Sequence, residues 1–239
     1  MANTANMAAN EASAAPAYNL VGQKLGRKGL ETRERIMSAM LSLLERDEEG
    51  QVTLTAVARE ASVGMTTLYL YFPDIGELLL AVLARVIDSA GAAYLGTLRE
   101  RWSDEELERS AFAFIDAHHR FWNRNARVLH LRNAMAEAKD QRFLDVRKQQ
   151  SVPVVELLVA QMADSNGAGD EQTRVLATIL VMGLERIGSV ATNPVMFEHV
   201  EPAPLSSDPS HLHALIRGEA RILTLTIRDE RARLRALSR

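Results

Sequence analysis

The stretch 65–71 concentrates side chains that can hydrogen-bond or make apolar contacts without carrying charge. Thr66 and Thr67 offer hydroxyl groups, and Met65 and Leu70 offer apolar surface beside them. In a duplex groove, such side chains can hydrogen-bond to base edges and contact the methyl group of thymine. The stretch contains no Arg or Lys, so it cannot make the bidentate contact that Arg makes to guanine. If it reads DNA, it therefore reads through hydroxyl and apolar contacts.

Two short helices joined by a tight turn are predicted to position this stretch. The first helix follows Thr53, and the turn falls at 62–64, where poor helix formers occur together. Pro73 ends the second helix. Helical spacing assigns five residues to the core side of the pair: Val57, Ala58, Ala61, Leu68 and Phe72. Small residues let the helices cross closely, as a helix-turn-helix requires.

These residues resemble the signature of the TetR/AcrR family of bacterial transcriptional regulators, usually written Ala-Gly-Val-Ser-x-x-x-Leu-Tyr-x-His/Tyr-Phe. The run in this chain is Ala61-Ser62-Val63-Gly64-Met65-Thr66-Thr67-Leu68-Tyr69, followed by Tyr71-Phe72. The resemblance implies an all-α fold with an N-terminal three-helix DNA-binding domain, followed by a larger helical ligand-binding and dimerisation domain. It also implies a homodimer on a palindromic operator in double-stranded DNA. The motif itself says nothing about a ligand; the apolar residues of the later helices favour a repressor that is released by a small, largely apolar effector.

The resemblance further implies phosphate contacts by four residues: Arg33, Thr53, Tyr69 and Tyr71. Thr53 is also placed to N-cap the second helix. The alternative for each tyrosine is that its ring packs beneath the reading helix. The chain departs from the family at Gly64, where a capping Ser is usual, and at Ile75, where Lys is frequent. The missing charge at Ile75 predicts that affinity depends more on cations elsewhere.

Residues 1–26 are predicted to form a disordered tail, because they are rich in Ala, Asn and Ser and cannot bury much apolar surface. Lys24, Arg27 and Lys28 lie at its end. They form either a solvated linker or a basic arm that contacts phosphate or the minor groove. If they form an arm, their removal should reduce the salt dependence of DNA binding.

The composition is that of a globular chain without a global affinity for nucleic acid. The 239 residues carry a net charge of -3 and are 47% hydrophobic, so DNA binding must depend on a local surface. Cysteine is absent, which excludes disulfides within the chain and fits a reducing compartment. The sequence has neither a run of about 20 apolar residues nor a signal peptide. We therefore expect a cytoplasmic protein without a membrane partner.

The domain boundaries follow from these patterns: the tail at 1–26, the helix-turn-helix domain at 27–73, and the effector-binding and dimerisation domain at 74–239. Helices are predicted at 31–47, 75–99, 103–123, 141–162 and 171–192, and from 208 onward. Pro153 implies a kink, and Gly183 and Gly188 suggest that another helix approaches closely. The last two helices carry long apolar stripes, whose self-association would form a twofold dimer.

A mostly apolar ligand cavity with few polar groups is predicted between the C-terminal helices. Adjacent His118 and His119 point about 100° apart on a helix, so at most one should face the interior. Arg186 would suit an anionic ligand or could equally lie in a subunit interface. The candidate lining residues are His118, Phe121, Trp122, His130, Met135, Met182 and Arg186.

The sequence contains no constellation typical of catalysis, neither a Gly-rich phosphate loop nor a nucleophile elbow. A metal site could be proposed from His211 and His213 together with His199 and Glu201 upstream. However, residues two apart on a helix point in different directions. We predict no metal, no cofactor and no enzymatic activity. The alternatives to an effector-released repressor are a ligand-independent DNA binder of the same fold and, less favoured, an all-α enzyme with a helical pocket.

Overall fold

The computed structural model of the chain describes residues 22–46, 52–163, 169–193 and 209–237. A 3₁₀ helix, Leu95–Leu98, follows the fourth α-helix. The α-helices are α1 (Arg27–Arg46), α2 (Leu54–Glu60), α3 (Met65–Tyr71), α4 (Ile75–Ala93), α5 (Leu107–Arg124), α6 (Ala126–Glu137), α7 (Gln141–Met162), α8 (Glu171–Ala191) and α9 (Pro209–Leu237). The predicted all-α fold class is confirmed. The chain divides into two compact units between Val82 and Leu83, a point inside α4.

The first unit has a core in which one face of α1 packs on α2, and α2 packs in turn on α3. Ile36, Met40 and Leu44, which share one face of α1 at helical spacing, are buried. Val57, Ala58, Ala61, Leu68 and Phe72 are buried as predicted. Two polar contacts brace the unit: Arg35 Nε donates to the carbonyl of Ala61 at 2.9 Å, and Arg46 pairs with Glu60 at 2.5 Å.

The second unit packs α5 along α9 and α7 along α8, with α6 contacting α7 and α8. Helix α8 begins with a reciprocal capping box, in which Asp170 accepts from the Thr173 amide at 2.9 Å and Thr173 Oγ1 accepts from the Asp170 amide at 3.2 Å. Asp170 is thus the N-cap of α8, directly before the predicted start of this helix at 171. Helix α7 has the predicted bounds, with Pro153 inside it.

Three predicted helix boundaries were wrong. Helix α1 begins at Arg27 rather than 31, and a pair between Arg27 and Glu31 at 2.9 Å supports the additional turn. Helix α4 ends at Ala93 rather than 99, because Tyr94 leaves the helical conformation at φ -146° and the chain continues as 3₁₀ helix. The helix predicted from 103 begins at Leu107. The Ser103 hydroxyl accepts from the Glu106 amide in the turn before it.

Both adjacent histidines of α5 are buried, against the expectation that only one could face the interior. The reason is that α5 is covered on two sides. His118 packs against Tyr94 and Phe114, whereas His119 meets Glu219 of α9, with 2.5 Å between Nε2 and Oε2. A helix enclosed in this way can bury side chains 100° apart.

The two glycines of α8 lie in different surroundings. A Cβ atom on Gly188 would lie 2.8 Å from the indole of Trp122, so the predicted close approach is confirmed there. A Cβ on Gly183 would meet nothing within 4 Å in the described part of the chain. The prediction for Gly183 therefore finds no support within one subunit.

Among the helices that the structure describes, none is both long and apolar enough to cross a membrane.

Candidate functional site

Helix α3 presents its predicted base-contacting residues at the surface of the first unit. Leu68 is fully buried, which fixes the orientation of the helix. Leu70 is 42% exposed and Thr66 is also exposed, while Met65 and Thr67 are half-buried. All four residues proposed to read bases thus keep accessible surface.

Neither tyrosine of α3 is buried beneath the helix. Tyr69 is 46% exposed and Tyr71 is half-buried. Each can still present its phenolic hydroxyl to a phosphate, although that role stays a prediction.

In the turn before α3, a serine and a glycine each occupy the position where the backbone conformation favours the other. Ser62 has φ +52°, the left-handed region in which a side chain is disfavoured and glycine is not. Gly64 occupies the N-cap, where a Ser side chain would accept a hydrogen bond. Compared with the family signature, the chain therefore has Ser at the glycine position and Gly at the serine position.

Thr53 caps α2 as predicted, because its Oγ1 accepts a hydrogen bond from the Ala56 amide at 3.2 Å. The hydroxyl keeps its proton for donation, and the residue is exposed, so capping and a phosphate contact are compatible.

The structure places the Arg33 side chain against the protein. Arg33 Nη1 donates to Met37 Sδ at 3.2 Å, and its guanidinium carbon lies 5.2 Å from the centre of the Phe72 ring. To contact a phosphate, Arg33 would have to exchange these contacts or share its remaining donors.

The predicted basic arm is divided by the start of α1. Residues 1–21 lie outside the described residues. Arg27 and Lys28 form the first turn of α1 rather than part of a tail. Lys24 and Lys28 are exposed, and Arg27 is exposed while pairing with Glu31.

A cavity of about 90 Å³ lies in the second unit, enclosed by α4 to α8 and the connection after α4. It is lined mainly by apolar and aromatic side chains, with a polar end on α6, α7 and α8. Its lining consists of Ile87, Ala90, Tyr94, Leu95, His118, Phe121, Trp122, Leu129, Arg132, Gln149, Gln150, Ser151, Pro153, Val154, Val181, Leu184 and Glu185. Three of the seven predicted lining residues are among them: His118, Phe121 and Trp122.

The other four predicted residues do not line this cavity. Met182 is 67% exposed and Arg186 is also exposed, because they lie on the side of α8 that faces away from Val181 and Leu184. His130 lies behind Trp122, with its Nε2 3.0 Å from Thr192 Oγ1, and burial lowers its pKa. Met135 is half-buried on α6, outside the lining.

The polar end of the cavity contains a buried charge that the sequence reading missed. Arg132 is only 2% exposed. Its Nη2 donates to Glu185 Oε2 at 2.8 Å and its Nη1 donates to Gln150 Oε1 at 2.6 Å. The guanidinium carbon lies 5.6 Å from the Trp122 ring centre. The sequence does indicate that Arg132 is buried, because this residue lies in the apolar stripe of α6, three residues after Leu129.

His118 is the buried polar group in the apolar part of the cavity wall. It is 3% exposed, and its Nδ1 has no hydrogen-bond partner among the described residues. Burial lowers the pKa of His118 to about 3, and the nearby His119 and Arg132 act in the same direction. The imidazole is therefore neutral at physiological pH. Burial also raises the pKa of Tyr94, whose ring centre lies 5.1 Å from that of His118.

Among the described residues, no group of three or more His, Asp or Glu side chains could hold a metal ion. His213 packs its ring against Phe112, with 5.7 Å between ring centres. His199 and Glu201 lie outside the described residues, as does the side chain of His211. The described residues therefore do not support the metal site considered for these four residues.

Two solved structures share this architecture. A TetR-like transcriptional regulator from Rhodococcus sp. RHA1 aligns over 83% of this chain and 97% of its own, with a TM-score of 0.50 and 18% identity. The fatty acid degradation regulator FadR from Bacillus halodurans aligns over 84% and 97%, with a TM-score of 0.54 and 17% identity. The chain has the TetR-like fold. This is the fold that the helix-turn-helix residues led us to expect, and at these identities the likeness establishes the fold alone.

A curated relative is similar over a shorter region. The HTH-type transcriptional repressor KstR of Rhodococcus jostii (strain RHA1) is 44% identical over 64 residues, which are 26% of this chain. The match spans 30% of the length of that repressor. No protein-family profile matches the chain.

Proposed function

We propose that the protein is a dimeric DNA-binding transcriptional regulator, a repressor that leaves a palindromic operator when a small, largely apolar effector binds in the second unit. The observation that supports it most directly is the geometry of α3. Leu68 is fully buried, while Thr66, Tyr69 and Leu70 are exposed on a helix preceded by a tight turn. The identity to part of a curated HTH-type repressor supports the same proposal.

The reading helix would recognise bases without a cationic side chain. Met65 and Leu70 would contact thymine methyl groups, and Thr66 and Thr67 would hydrogen-bond to base edges. Thr53, Tyr69 and Tyr71 would fix the register through phosphates, with Arg33 joining them after releasing Phe72. Operators with thymine in the contacted positions are therefore favoured over guanine-rich ones.

The dimer is proposed to form through α8 and α9. Helix α8 carries an exposed apolar stripe of Val175, Ile179 and Met182, which recur at three- and four-residue spacing. Helix α9, which contacts α8, exposes Ile222 and Leu225. Large apolar side chains repeated along one helix face are typical of an association surface. A twofold dimer would present its reading helices about 34–36 Å apart, which requires a palindromic operator.

The cavity and the reading helix are linked through the covalent continuity of α4. This helix begins four residues after α3 ends, and its C-terminal turns contribute Ile87 and Ala90 to the cavity wall. An effector that releases DNA must bind the two conformers of the protein unequally. A ligand that changes the position of Ile87 and Ala90 would satisfy that requirement.

A ligand-independent DNA binder is the second candidate, and the size of the cavity favours it. About 90 Å³ is well below the roughly 300–1,000 Å³ typical of sites for drug-sized ligands. Only a small molecule fits without rearrangement of the wall. An all-α enzyme remains the third and least favoured candidate.

The direct test is selection of binding sites from random duplexes by the full chain at low salt, followed by affinity measurements on the selected palindrome. Leu70→Ala should relax sequence discrimination, whereas Tyr69→Phe should weaken binding to all sequences alike. Substituting Lys24 and Lys28 together by Ala should reduce the salt slope by up to about 1.8 if both contact phosphate. Selection of no palindrome would contradict the proposal.

The dimer has its own test by sedimentation. Met182→Glu and Ile179→Lys should each convert the dimer to a monomer at concentrations where the wild type is dimeric. A matched control is Ala134→Lys, which adds the same charge at an exposed position of α6, outside the two helices of the proposed interface. Monomeric wild-type protein would exclude the proposed operator geometry.

A further inference from the structure

We propose that the cavity of the second unit selects an uncharged molecule with a ring-sized apolar body and one hydroxyl group, which hydrogen-bonds to the imidazole of His118. This inference rests on the proposed effector role of the cavity and specifies the chemical class of the effector. It follows from three properties of the wall: its apolar body, the paired charge at its polar end, and an imidazole nitrogen without a hydrogen-bond partner among the described residues.

The body of the cavity is apolar and aromatic. Ile87 and Ala90 of α4, Phe121 and Trp122 of α5, and Leu184 of α8 contribute to the wall. A cavity of 150 Å³ lined by apolar side chains holds benzene, and this one measures about 90 Å³ before any side chain moves. Gln149 and Pro153 are exposed, so this part of the wall borders solvent. A single ring is therefore the largest body that we propose, and it requires the wall to expand.

The polar end of the cavity does not offer an open anion site. Arg132 has five N–H donors, and hydrogen bonds to Asn133, Gln150 and Glu185 already use four of them. Glu185 also neutralises the charge of the guanidinium. An anionic ligand would have to displace Glu185, and it would then be held in a wall that is otherwise apolar. These contacts favour an uncharged ligand.

His118 supplies the group that a ligand hydroxyl would satisfy. It lines the cavity, is buried, and its Nδ1 has no hydrogen-bond partner among the described residues. A buried polar atom without a partner is costly, so a ligand that supplies the missing hydrogen bond gains affinity. Neutral imidazole presents Nδ1 as donor or acceptor according to its tautomer, and a hydroxyl can serve either form. A carboxylate can only accept.

The test compares three probes on the full chain by NMR titration: phenol, toluene and benzoate. Phenol and toluene differ only by a hydroxyl in place of a methyl group, and benzoate carries the anion. Phenol should bind roughly two- to tenfold more tightly than toluene, as one net hydrogen bond allows. Benzoate should bind more weakly than phenol.

Two variants assign the preference to one side chain. His118→Phe keeps an aromatic ring and removes both ring nitrogens, so the preference for phenol over toluene should disappear while toluene still binds. Because the variant also removes a buried unsatisfied atom, its Tm without ligand should rise by about 2–4 °C. The control His213→Phe makes the same change on α9 outside the cavity and should leave the preference unchanged.

The results separate this inference from the proposed function. Tighter binding of benzoate than phenol, an unchanged preference in His118→Phe, or no binding of any probe would each overturn the inference. None of these results depends on DNA, so operator binding and its release by some other ligand could still be observed. Conversely, phenol binding through His118 without any operator binding would support the cavity chemistry and contradict the repressor proposal.

Discussion

In the first unit, the candidate base-contacting residues lie on one seven-residue helix, whereas the cavity of the second unit takes its wall from five helices. The contact face of α3 is set by local rules. A turn, an N-cap and one buried leucine orient it, and its neighbours in sequence are its neighbours in space. The cavity has no such local signature, because Arg132 and Glu185 meet across 53 residues of chain.

The two regions also differ in where they carry charged and polar side chains. Helix α3 faces solvent without a single cation, although its proposed ligand is anionic. The cavity buries an arginine and a histidine, although its wall is mainly apolar. An exposed site can use charged side chains on neighbouring segments, but a buried charge needs ionic or hydrogen-bond partners within the fold. The polar end of the cavity should therefore affect stability more than the surface of either unit.

Arg132→Met tests this difference with the largest expected effect. The change should lower the free energy of unfolding by about 2–3 kcal/mol, because it leaves Gln150 and Glu185 without their donor, and Glu185 can recover part of its solvation at the cavity mouth. Urea denaturation measures the effect. The control Arg174→Met breaks an ion pair with Glu156 in which both side chains are half exposed, and it should change the midpoint little. If the two substitutions lowered the free energy of unfolding equally, the buried and the exposed arginine would not differ in their contribution to stability.

Gly188→Ala tests how rigid the cavity wall is. The added Cβ would lie 2.8 Å from the indole of Trp122, which is itself fully enclosed, so the ring must shift. Overpacking should outweigh the gain in helix propensity and destabilise the protein by about 1–2 kcal/mol. Gly183→Ala in the same helix is the control and should stabilise a single subunit by up to about 1 kcal/mol. Thermal unfolding at several protein concentrations compares the two variants. If Gly188→Ala raised the Tm, the Trp122 side of the cavity wall could move aside at little cost.

Ser62→Gly tests the local rules of the first unit. Ser62 has φ +52°, so glycine should relieve backbone strain and stabilise the protein by about 0.5–1 kcal/mol. Gly64→Ser should add a few tenths of a kcal/mol through the N-cap, since a Cβ there meets nothing within 4 Å in the described chain. Denaturation of the single and double variants should show additive gains. A destabilising Ser62→Gly would mean that the turn does not hold this conformation in solution.

Asp170→Asn tests a surface charge of the second unit with a small, pH-dependent effect. The hydrogen bond from Arg233, with that from the Thr173 amide, lowers the pKa of Asp170 from 3.8 to about 2. A lowered carboxyl pKa stabilises the fold above the unfolded value, and this contribution is lost as pH falls from about 4 towards 2. The Tm difference between wild type and variant should therefore be present at pH 7 and shrink over that interval. A difference that persists unchanged at pH 2 would assign it to the cap and not to the charge.

Much of the first unit could be predicted from sequence because its contacts are short-range. The Thr53 cap, the turn at 62–64 and the burial of Leu68 and Phe72 follow from residue type and helical spacing. The bounds of α7 and the capping of α8 by Asp170 were predictable for the same reason. The errors at the ends of α4 and at the start of α5 arose where a single turn could continue as α-helix, 3₁₀ helix or loop at similar cost.

The sequence by itself determined that the chain is helical, where α3 lies and that Leu68 belongs to its buried face. Only the tertiary structure decided that both histidines of α5 are buried, that Met182 and Arg186 face away from the cavity, and that Arg132 joins Glu185. The physical reason is that helical periodicity tells which residues share a face but not which faces meet. Packing between helices distant in sequence makes that choice, and it places the His118 imidazole in the cavity wall, with no hydrogen-bond partner for its Nδ1 among the described residues.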